Sequence, residues 1–183
     1  MKKIGILLTT LFLVCSPVFA DTSFPIETEE FEWDTFSFQA PAGWEKRDSD
    51  LDIFYSLHYT CPDPQCYLNV VCYTILQEDL VTSQDIIDSD FTDRIHEADE
   101  YYPETHYEYD EVETYFSGRY PICIGHCVET LKGEDEDYIT ESYKIVFYDK
   151  EGYKAEISYT YFDEPDEDIL EYFKILPETI VLK

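Results

Sequence analysis

Basic residues are scarce: 12 Lys and Arg stand against 41 Asp and Glu, a formal net charge of −29. A surface of that sign is repelled by phosphate backbones and by anionic lipid, so no nucleic acid is expected as a partner. Glycine is scarce too, at 6 residues, which excludes collagen-like and other fibrous chains. After residue 20 no apolar run reaches the roughly 20 residues that a membrane-spanning helix needs. Internal repeats and low-complexity linkers are missing, and a single domain is expected. Apolar material, by contrast, is plentiful. Of 183 residues 44% are hydrophobic, with 17 Tyr, 12 Phe and 2 Trp, enough for a proper core despite the charge.

Motifs of catalysis are also missing. The chain has no G-x-S-x-G, no H-E-x-x-H, no glycine-rich phosphate loop and no C-x-x-C. His58, His96, His106 and His126 are scattered without an evident Ser or Cys partner, and carboxylate pairs are too numerous to single out two for glycosidase chemistry. The expectation is therefore a non-enzyme with no cofactor. The tyrosines could line a binding face, but alternating Tyr more often serves sheet packing.

Residues 1–20 read as a cleaved secretory signal. Lys2 and Lys3 form the basic start, Ile4 to Val14 is apolar, and Val18-Phe19-Ala20 places small residues before the cleavage point. Cys15 offers a lipoprotein alternative, but Val14 is larger than the residue that lipoprotein signals place before the cysteine. The mature chain from Asp21 keeps all 41 acids and loses two bases, so self-repulsion should make the fold salt-sensitive.

Residues 21–34 form an acidic arm. Its Glu27, Glu29, Glu30 and Glu32 oppose packing unless Phe31 and Trp33 dock. Residues 35–183 are expected to be one α+β domain. Phe36 to Ala40 alternates like a strand, and Ile53–Thr60 and Tyr67–Leu76 read as a hairpin around Cys61-Pro62-Asp63-Pro64-Gln65-Cys66. Thr82-Ser83 with Asp85 opens a helix whose Ile87, Phe91 and Ile95 share one face up to about Ala98. Strands then follow over Thr105–Phe116, Arg119–Leu131, Tyr138–Tyr148 and Tyr153–Tyr161. Their short turns imply an antiparallel meander. Pro165 opens a last helix with Ile169, Leu170, Phe173 and Leu176 on one side, and Pro177 is expected to end it. The acid clusters at 134–137 and 163–168 fall in a hairpin turn and before a helix N-terminus, where solvated acids are at home.

The frame Phe36-x-Phe38-x-x-Pro41-x-Gly43-Trp44, with Gly152-Tyr153 entering a strand and Phe173-Lys174-Ile175-Leu176 closing the last helix, resembles the PsbP-like fold. Photosystem II extrinsic proteins, a yeast Ran-binding factor and many small secreted bacterial proteins share that fold. The likeness runs from about Phe36 to Leu182. It implies an antiparallel sheet with helices packed on its faces, an α/β/α sandwich, in a family of binding or adaptor proteins rather than enzymes. No site motif is shared, and the acidic arm departs from the lysine-rich docking surface of the photosynthetic members.

Five cysteines follow the signal, and an exported chain favours disulfides among Cys61, Cys66, Cys72, Cys123 and Cys127. Cys61 and Cys66 bracket a short turn that can bring them within bridging range. Cys123 and Cys127 lie about 13 Å apart in a continuous strand, so they can bond only if Gly125-His126 turns; otherwise Cys72 can reach one of them across the sheet. Five is odd, so one thiol is left over. Cys72, Cys123, His126 and Cys127 together would also make a zinc-like ligand set, although C-x₃-C is not the usual knuckle spacing. Asp48, Asp50 and Asp52 match the first positions of a calcium loop, which then fails at Ile53 and Tyr59. The functional expectation is a secreted or periplasmic binding or adaptor protein whose acidic surface engages a cationic partner, a basic protein or calcium. The alternatives are a cysteine-centred redox or metal-binding protein and a structural envelope component.

Overall fold

The computed structural model describes residues 24–51, 54–61, 66–76, 82–101, 104–133, 137–162 and 166–183. The expected signal segment, Asp52, most of the acidic turn at 134–137 and Pro165 lie outside the described residues.

Alternation builds the main sheet. In β10 (Tyr153–Phe162), Ala155, Ile157, Tyr159 and Tyr161 are buried, while Lys154, Glu156, Ser158 and Thr160 between them are half-exposed. β10 pairs antiparallel with β9 (Tyr138–Tyr148), and β9 with β8 (Tyr120–Leu131). On its other side β10 meets β5 (Cys66–Leu76), which continues through β4 (Phe54–Thr60) to β3 (Glu45–Leu51). β6 (Thr105–Tyr109) and β7 (Glu113–Ser117) both lie along β8. The eight strands run in the order β3-β4-β5-β10-β9-β8-β6, with β7 also on β8.

The register assigns every side chain to a face. Cys72, Ala155, Phe147 and Ile122 form one row across four strands, and the neighbouring row, Val71, Glu156, Val146 and Cys123, points the other way. The first face carries the main core. It is covered by α2 (Glu167–Thr179) and by a small sheet of β1 (Thr28–Glu32), β2 (Phe36–Pro41) and β11 (Val181–Leu182). Phe36 meets Phe147 edge-on with ring centroids 5.0 Å apart, and Phe173 packs on Tyr143 and Tyr159 at 5.3 and 4.7 Å. Each such buried aromatic contributes on the order of 2 kcal/mol. On the opposite face α1 (Ser83–Tyr101) sets Ile87 and Phe91 against Cys123, Cys127 and Val146. Gly125, between the two cysteines, makes this approach possible: a Cβ there would collide with Ile87 Cγ2 and lie 2.7 Å from Phe91 Cε2. The result is an α+β layered domain, one antiparallel sheet with a helix on each face.

Several elements differ from the sequence reading. Described residues of the acidic arm pair with β2 as β1; Phe31 packs 4.9 Å from Phe38, and Trp33 stacks 4.6 Å over Tyr55. The charged stretch Glu45–Leu51 is a strand because it sits at the sheet's edge, where charge discourages pairing with another chain. Pro177 does not end α2. It occupies the last turn, where the helix forfeits little, and the chain continues to Thr179, whose hydroxyl donates to the Leu176 carbonyl at 2.8 Å. The start of α2 is capped by Asp166, whose carboxylate accepts from the amides of Asp168 and Ile169.

Candidate functional site

The segment read as one strand over Thr105–Phe116 is one edge strand with a fault in it. Tyr109 lies opposite Cys127 and Glu113 opposite Ile124, so four residue steps on the edge face three on β8. The extra residue falls within 110–112 and makes a β-bulge, a device that re-aims side chains. Asp110 stays in register, its amide donating to the His126 carbonyl at 3.0 Å and its carboxylate lying 2.8 Å from Nδ1 of that ring; the residues re-aimed are Glu113 and Tyr115, which come to the same face as His126. The other ring nitrogen, Nε2, is 3.2 Å from Glu141 on β9. The ring itself stacks on Tyr143, centroids 4.3 Å apart and 18° from parallel.

A cleft of about 240 Å³ opens beside this histidine, bounded by the bulge, β8, β9 and α2. Asp110, Glu111 and Glu113 bring carboxylates to its wall, Tyr115 and Tyr143 bring rings, and Lys174 comes from α2. The Tyr115 hydroxyl donates to Glu113 at 2.9 Å. Burial, reinforced by the charges of Glu141 and Asp110, pushes the Tyr143 phenol up to about 12. Tyr115 is likewise pushed up to about 12, by burial first and then by its bond to Glu113. In both cases burial disfavours the phenolate, and the neighbouring carboxylates add to that effect.

A second cavity, about 290 Å³, lies between Trp33, Phe36, Tyr73 and the β9–β10 turn. Two of its charged groups, Asp149 and Lys154, are committed to structure. Buried Asp149 accepts from the amides of Glu151 and Tyr153 at 2.8 and 2.9 Å, and the Lys154 ammonium sits 2.6 Å from Glu156 and 4.0 Å over the Tyr73 ring.

The cysteines do not gather into one centre. The structure shows all five in the reduced state. Cys123 and Cys127 stand on an unbroken β8 with no turn at Gly125-His126, so about 13 Å of strand separates them and they cannot bridge. Cys72 belongs to the opposite face from both, which removes the pairing expected across the sheet. The zinc-like set fails for the same reason: Cys123 and Cys127 pack under α1, while His126 shares a row with Tyr143 on the other face. Burial raises the Cys123 thiol, lifts Cys127 to about 11 and, with the charge of Asp149 adding to it, lifts Cys72 to about 12. Thiols held protonated in this way are poor nucleophiles. Asp48 and Asp50 sit two apart on extended β3, which spaces their carboxylates along the strand instead of wrapping them round an ion.

Of the cleft residues, the sequence had drawn attention to His126 alone, and as a metal ligand. Asp110, Glu113, Glu141 and Tyr143 were hidden among many like residues. The available signal was Asp110-Glu111, two acids in the middle of a strand pattern, where a bulge would be needed to carry them.

No family model matches the sequence, and none of the curated proteins matches it. Comparison of folds does find similar structures. The solution structure of cyanobacterial PsbP (CyanoP) from Synechocystis sp. PCC 6803 is similar over 92% of this chain and 100% of its own, with a TM-score of 0.59. The fold is PsbP-like. Sequence identity is 11%, so the likeness concerns the layered architecture and carries no site residue across. Among the described residues no helix is long and apolar enough to cross a membrane.

Proposed function

We propose that this is an exported, non-enzymatic accessory protein that uses the His126 cleft to hold a basic side chain of a partner protein. The observation that carries the reading is the bulge, which turns Glu113 and Tyr115 to the face where Asp110 already lies against His126, so that they wall one cleft with Tyr143. Carboxylates attract a lysine or arginine from a distance, and phenol rings favour its cationic head once it is in place. The PsbP-like fold supports an adaptor role, and the sequence supports export through residues 1–20.

A decalysine peptide, followed by fluorescence anisotropy, tests this. The protein should bind it at about 20 mM salt and release it at about 300 mM. Changing Asp110, Glu111 and Glu113 together to Asn, Gln and Gln should weaken binding by about ten-fold or more, while changing the exposed acids Glu97, Glu100 and Glu104 to Gln should cost far less. Equal losses from both sets would mean diffuse attraction and would remove the cleft from the proposal. No binding at low salt would overturn the cationic-partner reading altogether.

A further inference from the structure

We propose that, on oxidation from the reduced state seen in the structure, Cys61 and Cys66 form an intramolecular disulfide that closes the β4–β5 hairpin, while Cys72, Cys123 and Cys127 remain thiols. This rests on the register and is independent of the partner reading. The β4–β5 ladder pairs Thr60 with Tyr67, and its next rung sets Cys61 opposite Cys66, with the Cys61 amide donating to the Cys66 carbonyl at 3.2 Å. Residues directly opposite in an antiparallel pair keep their Cα atoms about 4.5–5.5 Å apart, within the range that disulfides span. Both side chains point into the main core, at 7% and 1% exposure, beside the Tyr159 hydroxyl. No other pair qualifies. Cys66 and Cys72 share a face but lie six residues apart along β5, about 20 Å, and Cys123 and Cys127 belong to the face beneath α1.

The bond forms by exchange with an external disulfide such as oxidised glutathione, before folding buries the pair. One cysteine thiolate attacks the reagent and expels a glutathione thiolate; the second then attacks the mixed disulfide and expels the other. The protein loses two protons and two electrons, and the reagent leaves as two thiols.

The experiment refolds the reduced full-length mature chain in a glutathione redox buffer, alkylates it in denaturant without reduction, and maps the digest by mass spectrometry. The expected result is a linked Cys61–Cys66 peptide pair with alkyl groups on Cys72, Cys123 and Cys127. The oxidised chain should also have an unfolding equilibrium constant lower than that of the reduced chain by about 40-fold, the loop-closure effect of so short a loop. Cys72→Ser should leave the link intact, and Cys61→Ser should abolish it without creating another. Five alkylated cysteines, or any link that includes Cys72, Cys123 or Cys127, would overturn the proposal.

Discussion

His126 lies flat on Tyr143 while Asp110 and Glu141 hold its two ring nitrogens from opposite sides. The two rings have different duties. Asp110 is 77% exposed at its side chain, so the ion pair to His126 contributes little, whereas Tyr143 is buried against Phe173 and Tyr159. His126→Phe, which preserves the stack and removes both carboxylate contacts, should cost less than about 1 kcal/mol in urea unfolding. Tyr143→Ala should cost about 3–5 kcal/mol by leaving a cavity in the core. Similar costs for the two would show that His126 belongs to the core and not to the cleft.

Gly125 gives a test of how closely α1 is seated. Its absent Cβ is what lets Ile87 and Phe91 reach the sheet between Cys123 and Cys127. Gly125→Ala should therefore destabilise the protein by about 1–3 kcal/mol, because the helix must lift or its side chains must leave their rotamers. Ile87→Ala made in the same background should recover part of the loss. A Gly125→Ala protein as stable as the parent would mean that α1 shifts without cost.

Alkaline pH provides a third prediction. An unfolded tyrosine releases its proton near its ordinary value of 10, but native Tyr143 does so only near 12, and burial holds Tyr59, Tyr159 and Tyr172 up as well. Between these values the native chain binds more protons than the unfolded one, so stability is fully present below pH 10 and falls as pH rises towards 12. Each such tyrosine removes up to about 1.4 kcal/mol per pH unit. Urea midpoints at pH 9, 10 and 11 should decline in that order, and Tyr143→Phe should flatten the decline. A midpoint constant across the series would contradict the burial of these phenols.

Much of the fold was legible because it is written in alternation and caps. Ala155, Ile157, Tyr159 and Tyr161 mark β10 without ambiguity, and Thr82 and Asp85 announce α1 by the bond that forms between them, the Asp85 amide donating to the Thr82 hydroxyl at 3.1 Å. β1 and β3 were illegible because neither has an apolar stripe. β1 is ordered by its ladder to β2 and by the docking of Phe31, and β3 by its ladder to β4. Local composition records neither. The cysteine pairing depended on parity across strands, which sequence spacing leaves undetermined until the register is known. The cleft was the least legible part. A bulge is a mismatch between two strands, and each strand alone looks regular.

That mismatch also separates the cleft from the rest of the molecule. Before residue 110 the odd-numbered residues of the edge face α1, as Tyr109 does on Phe91; after residue 112 they face α2, as Tyr115 does. The segment works as a phase shifter one residue long. Deleting that residue would restore an even ladder on β8 and leave both cores in register. Within this architecture the edge strand can thus lose one residue at a single point without unseating either core.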